Sequence, residues 1–140
     1  MDEIRKLAAA TYNQAYEAVE ASDSPAWAIE LAATSLNLWR QVGTEQNITI
    51  GCWLYSRTLA KASAGELAVT VARNALTHLS NVEDAPDWLT ASTLEGYARA
   101  LKAAADQEFE AALKNALDAI ERIADEEDRQ LISSQISDLI

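Results

Sequence analysis

The chain of 140 residues has few of the side chains that usually build catalytic, metal or disulfide centres, with one cysteine and one histidine. A single cysteine excludes an intramolecular disulfide and a cysteine-based zinc site, and a single histidine excludes a metal site built on paired histidines. Nucleophile elbows, phosphate-binding glycine loops and dinucleotide fingerprints are also missing from the sequence. We therefore expect a protein that is not an enzyme and that holds no cofactor or metal.

Basic residues are scarce as well, because 11 Lys and Arg stand against 22 Asp and Glu and give a formal net charge of -11. Nucleic acids and anionic membranes are bound by basic side chains that neutralise phosphates, so neither is an expected partner. No apolar run approaches the roughly 18 residues of a membrane helix. The first twenty residues carry four acids and no apolar stretch of signal-peptide length, which favours a cytoplasmic protein.

Only four glycines and two prolines interrupt the chain, and the apolar residues recur at helical spacing. One clear example runs in steps of three and four from Phe109 to Ile123. No segment keeps the strict alternation of a half-buried strand, so the expected fold is all-α. The pattern predicts seven helices, over residues 2–21, 25–42, 45–62, 65–80, 86–105, 107–124 and 128–139.

Local signals predict where several of these helices begin and end. Ser24 before Pro25, and Asp84 shortly before Pro86, are typical of helix N-caps, while Ser63 has the spacing of a capping box with Glu66. Gly43 is expected to end the second helix in a left-handed conformation. The acidic run of residues 125–128 is interpreted as a solvated turn.

The helices repeat in pairs. Tyr55-Ser56-Arg57-Thr58-Leu59 recurs as Tyr97-Ala98-Arg99-Ala100-Leu101, 42 residues later, and Asn74-Ala75-Leu76 recurs as Asn115-Ala116-Leu117, 41 residues later. Self-similarity at such a period predicts stacked helical hairpins. The expected single domain therefore has hairpins at about 2–42, 45–80 and 86–124, with a C-terminal helix at about 128–139 that covers the last apolar face.

This arrangement resembles the tetratricopeptide superfamily in a long-repeat form. The segment Phe109-Glu110-Ala111-Ala112-Leu113 is similar to the start of a second repeat helix. Blocks including Leu38–Gly43, Trp53–Arg57, Glu95–Ala100 and Ile123–Arg129 resemble, in that order, a family of small bacterial tetratricopeptide-like proteins with no assigned activity. The resemblance implies a right-handed α-α superhelix. The usual Trp, Leu-Gly and Tyr positions of the first repeat helix are not filled, so no peptide-clamp residues are carried over.

The repeated motif supplies the candidate site. Trp53, Arg57 and Lys61 form one helix stripe, and Glu95, Arg99 and Lys102 form the corresponding stripe in the next repeat. First helices of such repeats line a concave surface, so Trp53, Arg57, Glu95 and Arg99 are the predicted ligand-binding residues. Two guanidiniums near an indole suit a carboxylate with an apolar neighbour. The alternative is purely structural: Glu95 and Arg99 stand at i and i+4, and Arg57 pairs with Glu95 across the hairpins.

The remaining chemistry-bearing residues are interpreted as structural. Trp27 and Trp39 are expected to pack in the core, whereas Trp53 and Trp88 are expected to be partly exposed. His78 is expected to contact carbonyl groups at the end of its own helix. Cys52 is expected to be a buried, small apolar residue.

Architecture gives the functional expectation, because solenoids present concave surfaces without bringing chemistry of their own. We expect a noncatalytic binding or adaptor module whose groove takes a peptide, a protein tail or a small anionic ligand. The alternative is a self-associating structural protein, in which a stripe on the first helix packs inside the molecule or against a second copy. That stripe comprises Ile4, Ala8, Tyr12, Ala15 and Val19. A small-molecule sensor or enzyme is a third alternative, which a closed polar pocket around Arg57, Glu95 and Arg99 would favour.

Overall fold

The computed structural model describes residues 2–21 and 24–140, and within them the fold is all-α, as predicted. The helices are α1 (Asp2–Ala21), α2 (Pro25–Val42), α3 (Glu45–Lys61), α4 (Gly65–Leu79), α5 (Asp87–Ala103), α6 (Phe109–Glu121) and α7 (Glu126–Ile136), and a short 3-10 turn (Ser137–Leu139) follows α7. Each of the seven α-helices lies close to its predicted position. The largest shifts are at the two ends of α6 and α7, which the apolar pattern alone defines poorly.

Of the N-caps predicted at Ser24, Ser63 and Asp84, only the one at Ser24 is correct. Ser24 caps α2 by accepting a hydrogen bond from the backbone N–H of Trp27 at 3.3 Å. The caps predicted at Ser63 and Asp84 are wrong, because both residues take the left-handed conformation, at φ 64° and 51°, and lie before the helix starts. The residues that do precede α4 and α5, Ala64 and Pro86, make no side-chain cap bond.

The end of α2 and the start of α3 also differ from expectation. Gly43 has φ -93° and ψ 177°, so it is extended rather than left-handed. The capping box of the chain lies one residue further on, where Thr44 and Asn47 exchange hydrogen bonds between side chain and backbone. The acidic run at 125–128 is solvated as predicted, but it forms the N-cap and first turn of α7 rather than a connecting turn. Asp125 is the N-cap of α7 and accepts from the backbone N–H of Asp128, and acids in a first helical turn are favoured by the helix dipole.

The helices pack as sequential antiparallel pairs. The most extensive contacts join α1 with α2, α3 with α4, and α5 with α6, and α2–α3 and α4–α5 contacts connect the pairs in chain order. Helix α3 also contacts both α1 and α5, so the first helices of the pairs lie side by side. Helix α7 packs against α5 and α6. This order brings residues from α1, α3, α5 and α7 to a common surface.

Two apolar clusters form the core. The larger one extends from Leu36 of α2 through α3 to α6 and ends at Ile132, Ile136 and Leu139, which cover the third pair as predicted. The smaller one joins α1, α2 and α3. The predicted stripe on α1 packs within the molecule: Ala8, Ala15 and Val19 are buried, and Ile4 and Tyr12 are half-buried.

Two tryptophan predictions are wrong. Trp27 is 53% exposed because it lies in the first turn of α2 at the edge of the molecule, and Trp53 is only 7% exposed because α3 is central and is covered by α1 and α5. Trp39 and Trp88 are half-buried, and Cys52 is fully buried as predicted. His78 does not bind local carbonyls. Its Nδ1 lies 2.6 Å from Oε2 of Glu45, because the end of α4 meets the start of α3.

Candidate ligand-binding groove

A fully buried carboxylate, Glu95 of α5, lies at the centre of the candidate site. Its Oε1 accepts a hydrogen bond from the indole Nε1 of Trp53 at 3.0 Å, and its Oε2 accepts one from Nε of Arg99 at 2.7 Å. Nη1 of Arg57 lies 3.6 Å from the same Oε2. The four predicted site residues therefore meet in one cluster. The 42-residue repeat explains why, since it gives Arg57 and Arg99 equivalent positions on two adjacent helices.

Arg99 uses its guanidinium to hold α7 in place. Nη1 and Nη2 donate to the two carboxylate oxygens of Asp138, each at 2.8 Å, and Nη2 also donates to the backbone carbonyl of Gln135 at 2.8 Å. Burial lowers the pKa of Arg99, but hydrogen bonds and attraction from Asp138 and Glu95 outweigh it and raise that pKa further above neutrality. The same hydrogen bonds lower the pKa of Asp138. Arg99 is thus a fully paired cation.

Arg57 is placed differently, although it faces the same carboxylate. Its Cζ lies 5.6 Å from the ring centroid of Trp53, a cation–π distance, and its Nη2 lies 3.4 Å from Oε1 of Glu20. The 3.6 Å separation from Glu95 is beyond hydrogen-bond reach, and within residues 2–21 and 24–140 the buried Nη1 has no hydrogen-bond partner. The side chain is 15% exposed. The unpaired donor itself is buried, while the guanidinium side chain as a whole remains partly exposed to the solvent.

Both arginines line a groove of about 610 Å³ between α1, α3, α5 and α7. Lys61 and Lys102 also line it, and they donate to the backbone carbonyls of Val19 and Asp138. The carboxylates at this groove are Glu20 and Asp138, with Glu95 buried behind them. Four cations gathered on a protein of net charge -11 form a local basic spot, which concentrates anions from solution.

A second, smaller cavity of about 310 Å³ adjoins the groove. Its walls are aromatic on three helices: Tyr12 and Tyr16 of α1, Trp53 of α3 and Trp88 of α5. Tyr16 and Trp53 stack with ring centroids 6.3 Å apart. Burial raises the pKa of Tyr12, so its phenol stays neutral at physiological pH. We call this the aromatic cavity.

Gly96 fixes the position of Trp53 between the two cavities. A Cβ at residue 96 would lie 2.7 Å from Cδ1 of Trp53, which is closer than carbon atoms approach without displacement. The absent side chain lets the indole lie against the backbone of α5. From there the indole N–H reaches Glu95, one residue before Gly96.

No model of a known protein family, no curated protein and no solved structure matches the chain. In the described part of the chain, no three His, Cys, Asp or Glu side chains cluster as metal ligands. None of the described helices is long and apolar enough to cross a membrane.

Sequence reasoning did not find Tyr16, Glu20, Gln135 or Asp138. They belong to the first and last helical segments, outside the repeated motif that identified the other residues. Their sequence spacing to Arg57 and Arg99 does not predict that they lie close to these residues, because only the packing of α1 and α7 around α3 and α5 brings them together.

Proposed function

We propose that the protein is a noncatalytic binding module whose groove between α1, α3, α5 and α7 takes the carboxylate of a ligand, carried on a peptide, a protein tail or a small molecule. The observation that carries this proposal is the incompletely used guanidinium of Arg57, 15% exposed beside a buried carboxylate that Arg99 already neutralises. A carboxylate accepts bidentate hydrogen bonds from such a group, as Asp138 does from Arg99 in the same groove.

The proposed architecture is a short tetratricopeptide-like superhelix. The order of helix contacts supports it, since α1, α3 and α5 lie side by side and each packs most extensively on the helix that follows it. In such a superhelix the first helices form the concave surface, which agrees with the groove lining. The expected partner is a protein, a peptide or a small anion, and the expected location is the cytoplasm.

A titration with butyrate tests the proposal, because the carboxylate is the only polar group of butyrate. The readout is the NMR signal of the Trp53 indole N–H, which lies beside Arg57. We expect a saturable shift in the wild type and roughly tenfold weaker binding in Arg57→Gln, with weaker binding at high salt. Lys61→Gln, which leaves the Glu95 cluster intact, is expected to weaken binding to a smaller degree.

Arg5→Gln is the matched control. Arg5 also lies over a tryptophan, 6.0 Å from the ring of Trp39, and donates to the carbonyl of Val42, but it is outside the groove. Its replacement is expected to leave butyrate binding unchanged. Equal butyrate shifts in the wild type and in a folded Arg57→Gln variant, or no shift in either protein, would contradict the proposal.

A further inference from the structure

The groove and the aromatic cavity are consecutive levels of one depression. On α3 and α5, the residues that line the cavity precede those that line the groove along the chain, and on α1 and α7 the two sets overlap at Tyr16, Leu131 and Gln135. On α3, for example, Ile50 and Trp53 line the cavity and Arg57 and Lys61 line the groove. On α7, Ile132 lines only the cavity, and Asp138 of the 3-10 turn that follows α7 lines only the groove. The apolar aromatic cavity is thus directly continuous with the cationic groove.

The groove and the aromatic cavity share part of their lining. Tyr16, Leu131 and Gln135 line both of them. The Gln135 amide donates to the Tyr16 hydroxyl at 3.5 Å, the outer limit of a hydrogen bond. Its other polar atom, Oε1, is buried and has no partner among the residues the structure describes.

We propose that the two levels form a single site for a small aryl-alkyl carboxylic acid, whose aromatic ring fills the aromatic cavity and whose carboxylate pairs with Arg57. The assignment of the carboxylate rests on the proposed function, while the aromatic half rests on the cavity itself. Four aromatic walls and a volume near the lower end of small-molecule pockets suit one aromatic ring. The net positive balance of the groove selects an acid over an amine.

The spacing of the two levels sets the length of the ligand. Trp53 and Arg57 are one helical turn apart, a rise of about 6 Å, and the Arg57 Cζ lies 5.6 Å from the Trp53 ring. A ring and a carboxylate joined by a chain of about three methylene groups span a comparable distance. A ligand of this length would pass Tyr16 and Gln135 at the boundary.

Phenylbutyrate is therefore the test ligand, compared with phenylbutanol, which lacks the charge, and with butyrate, which lacks the ring. Binding is measured by calorimetry. We expect the wild type to bind phenylbutyrate at least roughly tenfold more tightly than either comparison compound. Arg57→Gln is expected to reduce phenylbutyrate affinity to that of phenylbutanol, and Arg5→Gln to leave it unchanged.

Ser92→Leu tests the aromatic half separately, because Ser92 is half-buried and lines only the aromatic cavity. A leucine there is expected to fill part of the cavity and to reduce phenylbutyrate affinity to that of butyrate, without changing butyrate binding. The two variants thus remove the two halves of the site independently, and circular dichroism checks that each remains folded.

The outcomes separate the two proposals. If butyrate binds through Arg57 and the ring adds no affinity, the joint site is wrong and the proposed function stands. If phenylbutanol binds as tightly as phenylbutyrate, with no effect of Arg57→Gln, the carboxylate assignment fails in both proposals. If the tripeptide Ala-Ala-Phe binds and phenylbutyrate does not, the small-molecule assignment is overturned in favour of a peptide terminus.

Discussion

At the scale of single residues, Glu95 connects three side chains of the candidate site. It is fully buried, and it accepts hydrogen bonds from Trp53 and Arg99 while neutralising two guanidiniums. Glu95→Ala would remove the buried counter-charge of Arg57 and Arg99, which would keep only Glu20 and Asp138, so we expect a loss of about 3–5 kcal/mol in the free energy of unfolding, measured by urea denaturation. Asp118→Asn is the control, because its ion pair with Lys114 is exposed, and it should cost less than about 0.5 kcal/mol. Similar losses for both variants would contradict this role.

The same residue shows what sequence spacing can and cannot predict. The i to i+4 spacing of Glu95 and Arg99 and the repeat offset of Arg57 were sufficient to predict both ion pairs. The complete burial of Glu95 was not predictable, because it depends on how closely α3 and α5 approach. The indole N–H of Trp53 that makes this burial tolerable comes from the neighbouring helix.

At the scale of elements, α7 and the 3-10 turn that follows are anchored by the carboxylate of Asp138. Because Arg99 lowers the pKa of Asp138 from its ordinary value of 3.8, this anchor stabilises the fold fully above pH 3.8 and is lost as the pH falls through the lowered value. We expect Asp138→Asn to be less stable than the wild type by a constant amount above pH 3.8, with the difference narrowing below it.

Thermal unfolding midpoints of the two proteins across this pH range check the prediction. Amide hydrogen exchange in α7 provides a second readout, since the Asn variant should exchange faster there at neutral pH. Parallel midpoint curves down to the lowest pH at which both proteins fold would show that Asp138 does not titrate as the anchor of this helix.

Helix boundaries were mostly predictable from the sequence. The two wrong N-cap predictions have the same cause. The apolar pattern located all seven helices because each buries one face. The signals at Ser63 and Asp84 are typical of N-caps, but these residues instead adopt left-handed conformations in the connections. A short polar side chain is common both at helix N-caps and at left-handed positions in connections. Only the geometry needed to join consecutive helices decides between them.

At the scale of the whole molecule, helix protection should increase from the first helix towards the centre. Helix α1 packs chiefly on α2 and less extensively on α3, whereas α5 contacts α3, α4, α6 and α7. We expect the slowest-exchanging amides of α5 to be protected more strongly than those of α1 in native-state hydrogen exchange. Equal protection of the two helices would indicate that the molecule opens only as a unit.

The helical spacing of apolar residues made the all-α fold predictable, and the repeat made the proximity of Arg57 and Arg99 predictable, because it relates α3 to α5 residue by residue. The outer half of the groove was not predictable. Glu20, Gln135 and Asp138 reach the groove only when the two ends of the chain pack around the middle, and no periodicity relates them to Arg57 or Arg99.

The contact between Gly96 and Trp53 has a consequence for the descent of this fold. Since even a methyl group at residue 96 would meet the indole, residue 96 is not free to gain a side chain while residue 53 is a tryptophan. In a lineage that keeps the buried carboxylate, bulk can therefore be gained at residue 96 only after it has been lost at residue 53. A glycine at residue 96 is thus expected wherever residue 53 is a tryptophan in this packing.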